Sequence, residues 1–309
     1  MWPGEGYGYA GIFVQRQVEA LRAAAPDWTF DVFTLAGHRG RADYLLAVPR
    51  LRRRLRQGYD LVHAHYGFSG ATAALARARP LITTLHGGDV NLGWQRPFTR
   101  FAAWRSEVVI AVSRRLRDAW GDPSLPVLSC GVPTDLFRPL DRREARDRLG
   151  IPPDAPVVLF PADPAVPVKD HPLFEAAMAR LPAPLRKAAV ARTLGDVPPP
   201  ETPWHMAAAD VVVLTSQHES GPLVVKEALA CGVPVVAVDV GDVPETLDGL
   251  PGCRVVPRDA GAIAAAVAEV LETGAPETTD VLRRRVFELG LDDPSIAAKL
   301  LEIYRGVMG

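Results

Sequence analysis

Short apolar runs alternate with stretches of helical periodicity through the whole chain, in two successive series of one kind. In the first, residues 31–35, 61–63, 81–85, 108–112 and 127–129 read as buried strands. Interleaved with them, residues 11–24, 44–57, 69–78, 98–104 and 114–120 carry apolar residues at helical spacing. A second series follows a stretch rich in Pro and Arg, residues 133–156. Its strands are expected at 157–160, 188–190, 211–214, 234–238 and 253–256, and its helices near 171–180, 203–208, 222–230, 243–248 and 260–273. A last helix around 295–307 has Ile296, Leu300, Ile303 and Tyr304 on one side, and Pro294 suits its start. Continuous apolar strands between helices predict parallel βαβ units with both sheet faces covered. The chain therefore reads as α/β, with two Rossmann-like domains at 1–138 and 139–294 and a C-terminal helix over 295–309 that packs back toward the first. Ligands of such sheets sit beyond the carboxyl ends of the strands, so a cleft shared by two facing domains is the expected site.

Composition narrows the class. The 309 residues are 48% hydrophobic and 23% charged, as in ordinary globular proteins. No apolar run reaches the roughly 18 residues that a membrane span needs, and the Gly-rich start lacks the basic-then-apolar pattern of a signal peptide. The three cysteines, Cys130, Cys231 and Cys253, have no CxxC spacing, which fits a reducing cytoplasm and argues against disulfides or a zinc site. The net charge of −1 hides an asymmetry: residues 1–138 carry 18 Arg against 11 acidic residues, a net +7, and the remainder is net −8. A basic first half suits an anionic partner or a solvated surface equally. Residues 50–56 hold five arginines on an expected helix, Arg50, Arg52, Arg53, Arg54 and Arg56. They offer either a peripheral contact with anionic lipid at the inner membrane face or a solvated basic surface. No aromatic interleaving accompanies the charge, so nucleic acid is not an expected partner.

The most informative chemistry lies in residues 216–246. A strand ends in a polar loop, Gly221 and Pro222 open a helix that holds Lys226 and Glu227, and Pro234 starts the next strand. Unpaired N–H groups at such a helix start favour an anion such as a diphosphate. Glu219 stands just before the helix and Glu227 roughly two turns inside it, near the same face. One carboxylate is then placed for sugar hydroxyls and the other for ribose hydroxyls. No GxSxG motif, metal-ligand cluster or DxD is present, so neither a metal nor another cofactor is expected.

This segment resembles glycosyltransferase family 4 and its Glu-x7-Glu motif. The residues are Glu219-Ser220-Gly221-Pro222, then Glu227-Ala228-Leu229-Ala230-Cys231-Gly232-Val233-Pro234-Val235, with Gly-Pro where the family usually has Phe-Gly. Further likenesses are the first glycine loop at Gly11, a strand ending in His63-Ala64-His65, the turn Thr84-Leu85-His86-Gly87-Gly88-Asp89, Ser113 as a helix cap, and residues 129–137 as the crossing into the second domain. The resemblance implies a GT-B fold and retaining, metal-independent transfer of a hexose-type sugar. The donor would be a UDP-, GDP- or ADP-sugar, and the acceptor a glycan, a lipid-linked or a small molecule, in cell-envelope polysaccharide biosynthesis. It assigns catalysis to His86, Lys169 and Glu219, and donor binding to Gly11, Glu219, Ser220, Gly221, Pro222, Leu223 and Glu227.

Two departures stand out. The loop 161–170 has Lys169 but lacks the Arg that the family pairs with the leaving diphosphate, and Lys226 is a candidate substitute. The family also starts with a strand before its glycine loop, whereas Met1-Trp2-Pro3-Gly4 begins in that loop. A first strand is thus expected to be missing, through a misassigned start or a truncation. These departures leave two other readings open: a nucleotide-sugar epimerase of the same fold and a catalytically weakened sugar-nucleotide-binding protein.

Overall fold

Valine-rich runs of three or four residues form the sheet of the second half. β4 (Val157–Phe160), β5 (Val190–Thr193), β6 (Val211–Leu214), β7 (Val235–Val238) and β8 (Arg254–Val256) pair in the order β5-β4-β6-β7-β8, every pair parallel. β4, β6 and β7 are buried along their whole length, as expected of strands covered on both faces. The covering helices are α7 (Arg142–Leu149), α8 (His171–Met178), α9 (Ala183–Ala188), α10 (Thr202–Ala208), α11 (Leu223–Ala230), α12 (Val243–Leu247), α13 (Ala260–Thr273) and α14 (Thr279–Glu288). The computed structural model describes residues 11–35, 42–274 and 278–309. It resolves into two compact units, one of Met1–Gly131 with Asp293–Gly309 and one of Val132–Asp292.

The first unit holds β1 (Val62–His65), β2 (Leu81–Leu85) and β3 (Val108–Ala111), parallel and in that order. Its helices are α1 (Ile12–Ala24), α2 (Ala42–Leu55), α3 (Gly67–Leu75), α4 (Gly88–Asn91), α5 (Arg96–Arg105), α6 (Arg114–Trp120) and, from the far end of the chain, α15 (Asp293–Met308). α15 buries Ile296, Ala297, Leu300, Leu301 and Tyr304 against Leu21 of α1, Ile82 and Ile110. Small residues bring α3 onto α5: a Cβ added at Gly70 would lie 2.7 Å from Thr83 Oγ1 and 2.8 Å from the Ala102 Cβ.

Four expectations are corrected. Residues 31–35 join no ladder among the described residues. They line a cavity of about 760 Å³ that β1 also lines. Residues 127–129 contribute a single bridge, Val127 to Ala111, rather than a strand. The strand expected at 188–190 begins at Val190, because Pro182 starts α9 and its helix continues to Ala188. The first unit ends at Gly131 rather than 138: Val132 N donates to Leu291 O at 2.9 Å and Phe137 is buried in the core of the second unit. The first strand expected to be missing concerns residues 1–10, which lie outside the described residues. No described helix is long and apolar enough to cross a membrane.

Candidate functional site

The second unit gathers its polar groups beyond the carboxyl ends of β4 and β6. After β4 the chain makes a tight turn of 3₁₀ helix, Pro167–Lys169, and Asp170 adopts a left-handed conformation (φ 53°) to cap α8 through Leu173 N. Thr215, just past β6, fixes this loop by donating to the carbonyls of Lys169 (2.9 Å) and Asp170 (3.0 Å), and Gln217 N donates to Val168 O. Lys169 Nζ then meets Glu219 Oε1 at 2.6 Å, and Ser216 Oγ donates to the same oxygen at 2.8 Å. Both partners of this ion pair are partly exposed. Two residues fifty positions apart are therefore brought together as candidates.

α11 begins at Leu223 with Pro222 as its N-cap residue, outside the first helical turn. Ser220, Gly221 and Pro222 form the approach to the helix, and the N-cap residue Pro222 supplies no side-chain cap to its first N–H groups. Glu227 lies within α11 and is buried, at 8% exposure. Lys226 does not replace the missing Arg. It is fully buried and its Nζ is 2.7 Å from Asp242 Oδ2, so it presents no ammonium to a ligand surface. A guanidinium that sequence spacing did not suggest is nearby: Arg258, past β8, donates to Thr215 O at 2.9 Å and to the Asp170 carboxylate. It braces the loop that carries Lys169. No local sequence signal marks it, because the contact spans 88 positions.

The first unit gathers histidines. Gly11 caps α1 in the left-handed region, φ 82°, which favours glycine. Gly87 lies at φ 124° between β2 and α4. Asp89, 1% exposed, accepts from the backbone N–H groups of Gly67, His86 and Gly87 and so fixes the His86 turn. His86 Nε2 meets His65 Nδ1 at 3.0 Å, and the rings of Tyr66 and Phe13 lie 4.4 and 4.9 Å from that of His86. His63 stacks on His65 at 4.5 Å and bonds Tyr304 of α15 and Thr84 of β2 at 2.6 and 2.7 Å. His63 thus has a packing and helix contact, whereas His65 joins His86. Burial holds all three imidazoles below their usual range, His65 at about 4 and the others well below 6.5. Ser113 caps α6 through Leu116 N at 3.2 Å.

Of the five arginines at 50–56, two are engaged within the unit. Arg52 donates to Leu75 O, and Arg54 is clamped to Asp31 beside Tyr59. Arg50, Arg53 and Arg56 remain on the exposed side of α2 and just after it.

The two units match separate descriptions among known families: residues 15–136 match Glycosyltransferase Family 4, and residues 170–273 match glycosyl transferases group 1. D-inositol 3-phosphate glycosyltransferase of Geodermatophilus obscurus is 35% identical over 269 residues, 69% of this chain and 59% of that one. Its namesake from Mycobacterium leprae is 32% identical over 302 residues, 81% of this chain and 70% of that one. The chain spans 59% and 63% of the length of two such curated relatives. Among solved structures, sucrose-phosphate synthase of Thermosynechococcus elongatus has a TM-score of 0.82 at 22% identity, covering 97% of this chain and 93% of that one. HepE of Anabaena in complex with UDP-glucose has a TM-score of 0.74 at 19% identity, covering 99% and 98%. The fold is GT-B, and the chain belongs to glycosyltransferase family 4.

Proposed function

We propose that the chain is a retaining glycosyltransferase that moves a hexose-type sugar from a nucleotide-diphosphate sugar to an acceptor hydroxyl. The observation that carries this reading is the Lys169–Glu219 pair at 2.6 Å, held before a helix start whose N-cap residue supplies no side-chain cap. A diphosphate at the N–H groups of Leu223 and its neighbours draws on the helix dipole and on Lys169. Glu219 is then free to accept from sugar hydroxyls, and Glu227 from the ribose. The acceptor oxygen attacks the anomeric carbon on the face from which the diphosphate leaves. The carbon–oxygen bond to the phosphate breaks, and the acceptor proton passes to the departing phosphate oxygen. Lys169 balances the charge that develops there, an electrostatic contribution that sites of this kind exploit heavily. His86 and Gly11 carry the roles that family resemblance implies, contact with the donor sugar and close approach to its phosphates.

A UDP-sugar is the favoured donor, since a structural neighbour is bound to UDP-glucose. A phosphorylated cyclitol is the favoured acceptor. The relatives named above act on D-inositol 3-phosphate, and the basic first half of the chain suits an anionic acceptor. Incubation with UDP-sugars and inositol 3-phosphate, read by UDP release and product mass, tests this. Release that depends on acceptor supports transfer, and an epimerised donor formed without acceptor would replace it with the epimerase reading. Arg50, Arg53 and Arg56 are the side chains available for a peripheral contact with anionic lipid at the inner face of the membrane.

A further inference from the structure

Lys226 has 0% exposure, in a position where an ammonium ion loses its hydration. Its partner Asp242 accepts with Oδ2 at 2.7 Å, but Asp242 Oδ1 is buried and has no hydrogen-bond partner among the described residues. A buried ion pair often adds little to stability, and apolar residues of the same volume often serve as well. The position of this pair suggests what it does instead. Helical side chains lean toward the helix start, and Lys226 does so: a Cβ added at Gly221 would lie 3.3 Å from Lys226 Nζ and 3.3 Å from Asp242 Oδ2. The turn that carries Asp242 presses on the same loop, since a Cβ at Gly241 would lie 3.0 Å from the Ser220 carbonyl and 3.2 Å from Glu219 O. The pair therefore ties three segments together: α11, the approach Glu219–Pro222 and the turn after β7.

We propose that Lys226 and Asp242 are positioning residues for donor binding, a buried strut that fixes the Glu219–Pro222 approach and the first N–H groups of α11 where a nucleoside diphosphate is held. Neither side chain touches the ligand. The inference rests on the glycosyltransferase reading, and UDP is the probe that separates the two. The full chain is titrated with UDP by calorimetry. If the unaltered protein does not bind UDP, the UDP-donor reading fails and the titration is repeated with GDP and ADP; if none of the three binds, the functional reading is overturned. If it binds, three variants follow: Lys226→Met, Asp242→Asn and the double variant Lys226→Met with Asp242→Leu. The double variant removes both charges and leaves no buried ion unpaired, so its melting temperature is expected to stay near that of the unaltered chain. Its UDP dissociation constant and donor KM are expected to rise roughly tenfold, because small misplacements of a preorganised site are costly, while acceptor KM stays the same. Amide exchange at Leu223 and Val224 is expected to quicken. Unchanged UDP binding in a stable double variant would overturn the proposal and leave the pair a packing detail. Should the double variant not fold, Asp242→Asn decides in its place: weaker UDP binding at an unchanged melting temperature supports the strut, and equal binding removes it.

Discussion

On the proposed reading Lys169 serves the leaving diphosphate and Glu227 the ribose, and their substitutions should separate in kinetics. Lys169→Ala removes the cation 2.6 Å from Glu219. Loss of one electrostatic stabiliser lowers kcat by about 10²-fold in comparable sites, so kcat is expected to fall much further than donor affinity. Steady-state rates at varied donor check this, and an unchanged kcat would take Lys169 out of leaving-group stabilisation. Glu227→Ala should instead raise donor KM by roughly tenfold or more, the usual cost of a lost hydrogen bond to a charged group. The histidines make a different prediction. Burial depresses the folded pKa of His63, His65 and His86, so the folded chain keeps them neutral while the unfolded chain protonates them near pH 6.5. Stability is then present above that pH and is lost as pH falls through 6.5 toward 4, by up to about 1.4 kcal/mol per pH unit for each histidine. Urea unfolding at pH 7 and pH 5 measures the slope, and His65→Asn should flatten it.

At the scale of elements, packing between α3 and α5 depends on the absence of side chains. Gly70→Ala places a Cβ 2.7 Å from Thr83 Oγ1 and 2.8 Å from the Ala102 Cβ. Overpacking of this kind costs about 1–3 kcal/mol, and chemical denaturation should register it without loss of UDP affinity. The sequence revealed most elements because burial on both faces forces continuous apolar runs in the strands, while helices show apolar residues at helical spacing: β2, β4, β6, α6 and α13 have the boundaries that periodicity predicts. It revealed the Glu219–Glu227 segment because helix start, glycine and strand follow within one short stretch. Elements without an apolar period stayed hidden. α7 buries only Ala145 and Arg146, and α14 only Leu282 and Val286. The contacts of Arg258 with Asp170 and of Lys226 with Asp242 were also unreadable, since folding rather than spacing brings those charges together. Residues 31–35 have the pattern of a strand, yet a strand exists only where a neighbouring backbone takes its hydrogen bonds.

For the whole molecule, charge is distributed by unit. Exposed Arg50, Arg53 and Arg56 lie on the basic first half. Charge reversal at these three positions should abolish any retention on phosphatidylserine vesicles, and retention of the unaltered chain should weaken as salt rises from 0.05 to 0.5 M, about a threefold change in screening length. Co-sedimentation at the two salt concentrations reads the result, and salt-independent retention would point away from arginine–headgroup attraction.

Val132 and Leu291 are hydrogen-bonded neighbours, and the next residue pair, Val132 with Asp292, forms a bridge. The polypeptide thus leaves one body and comes back to it through a single doorway, which makes the second body a guest inserted into the first. The guest, residues 132–292, can be cut out as one uninterrupted fragment whose ends already meet, while its host needs both ends of the gene joined by a short linker. That excised fragment should melt cooperatively and bind UDP alone.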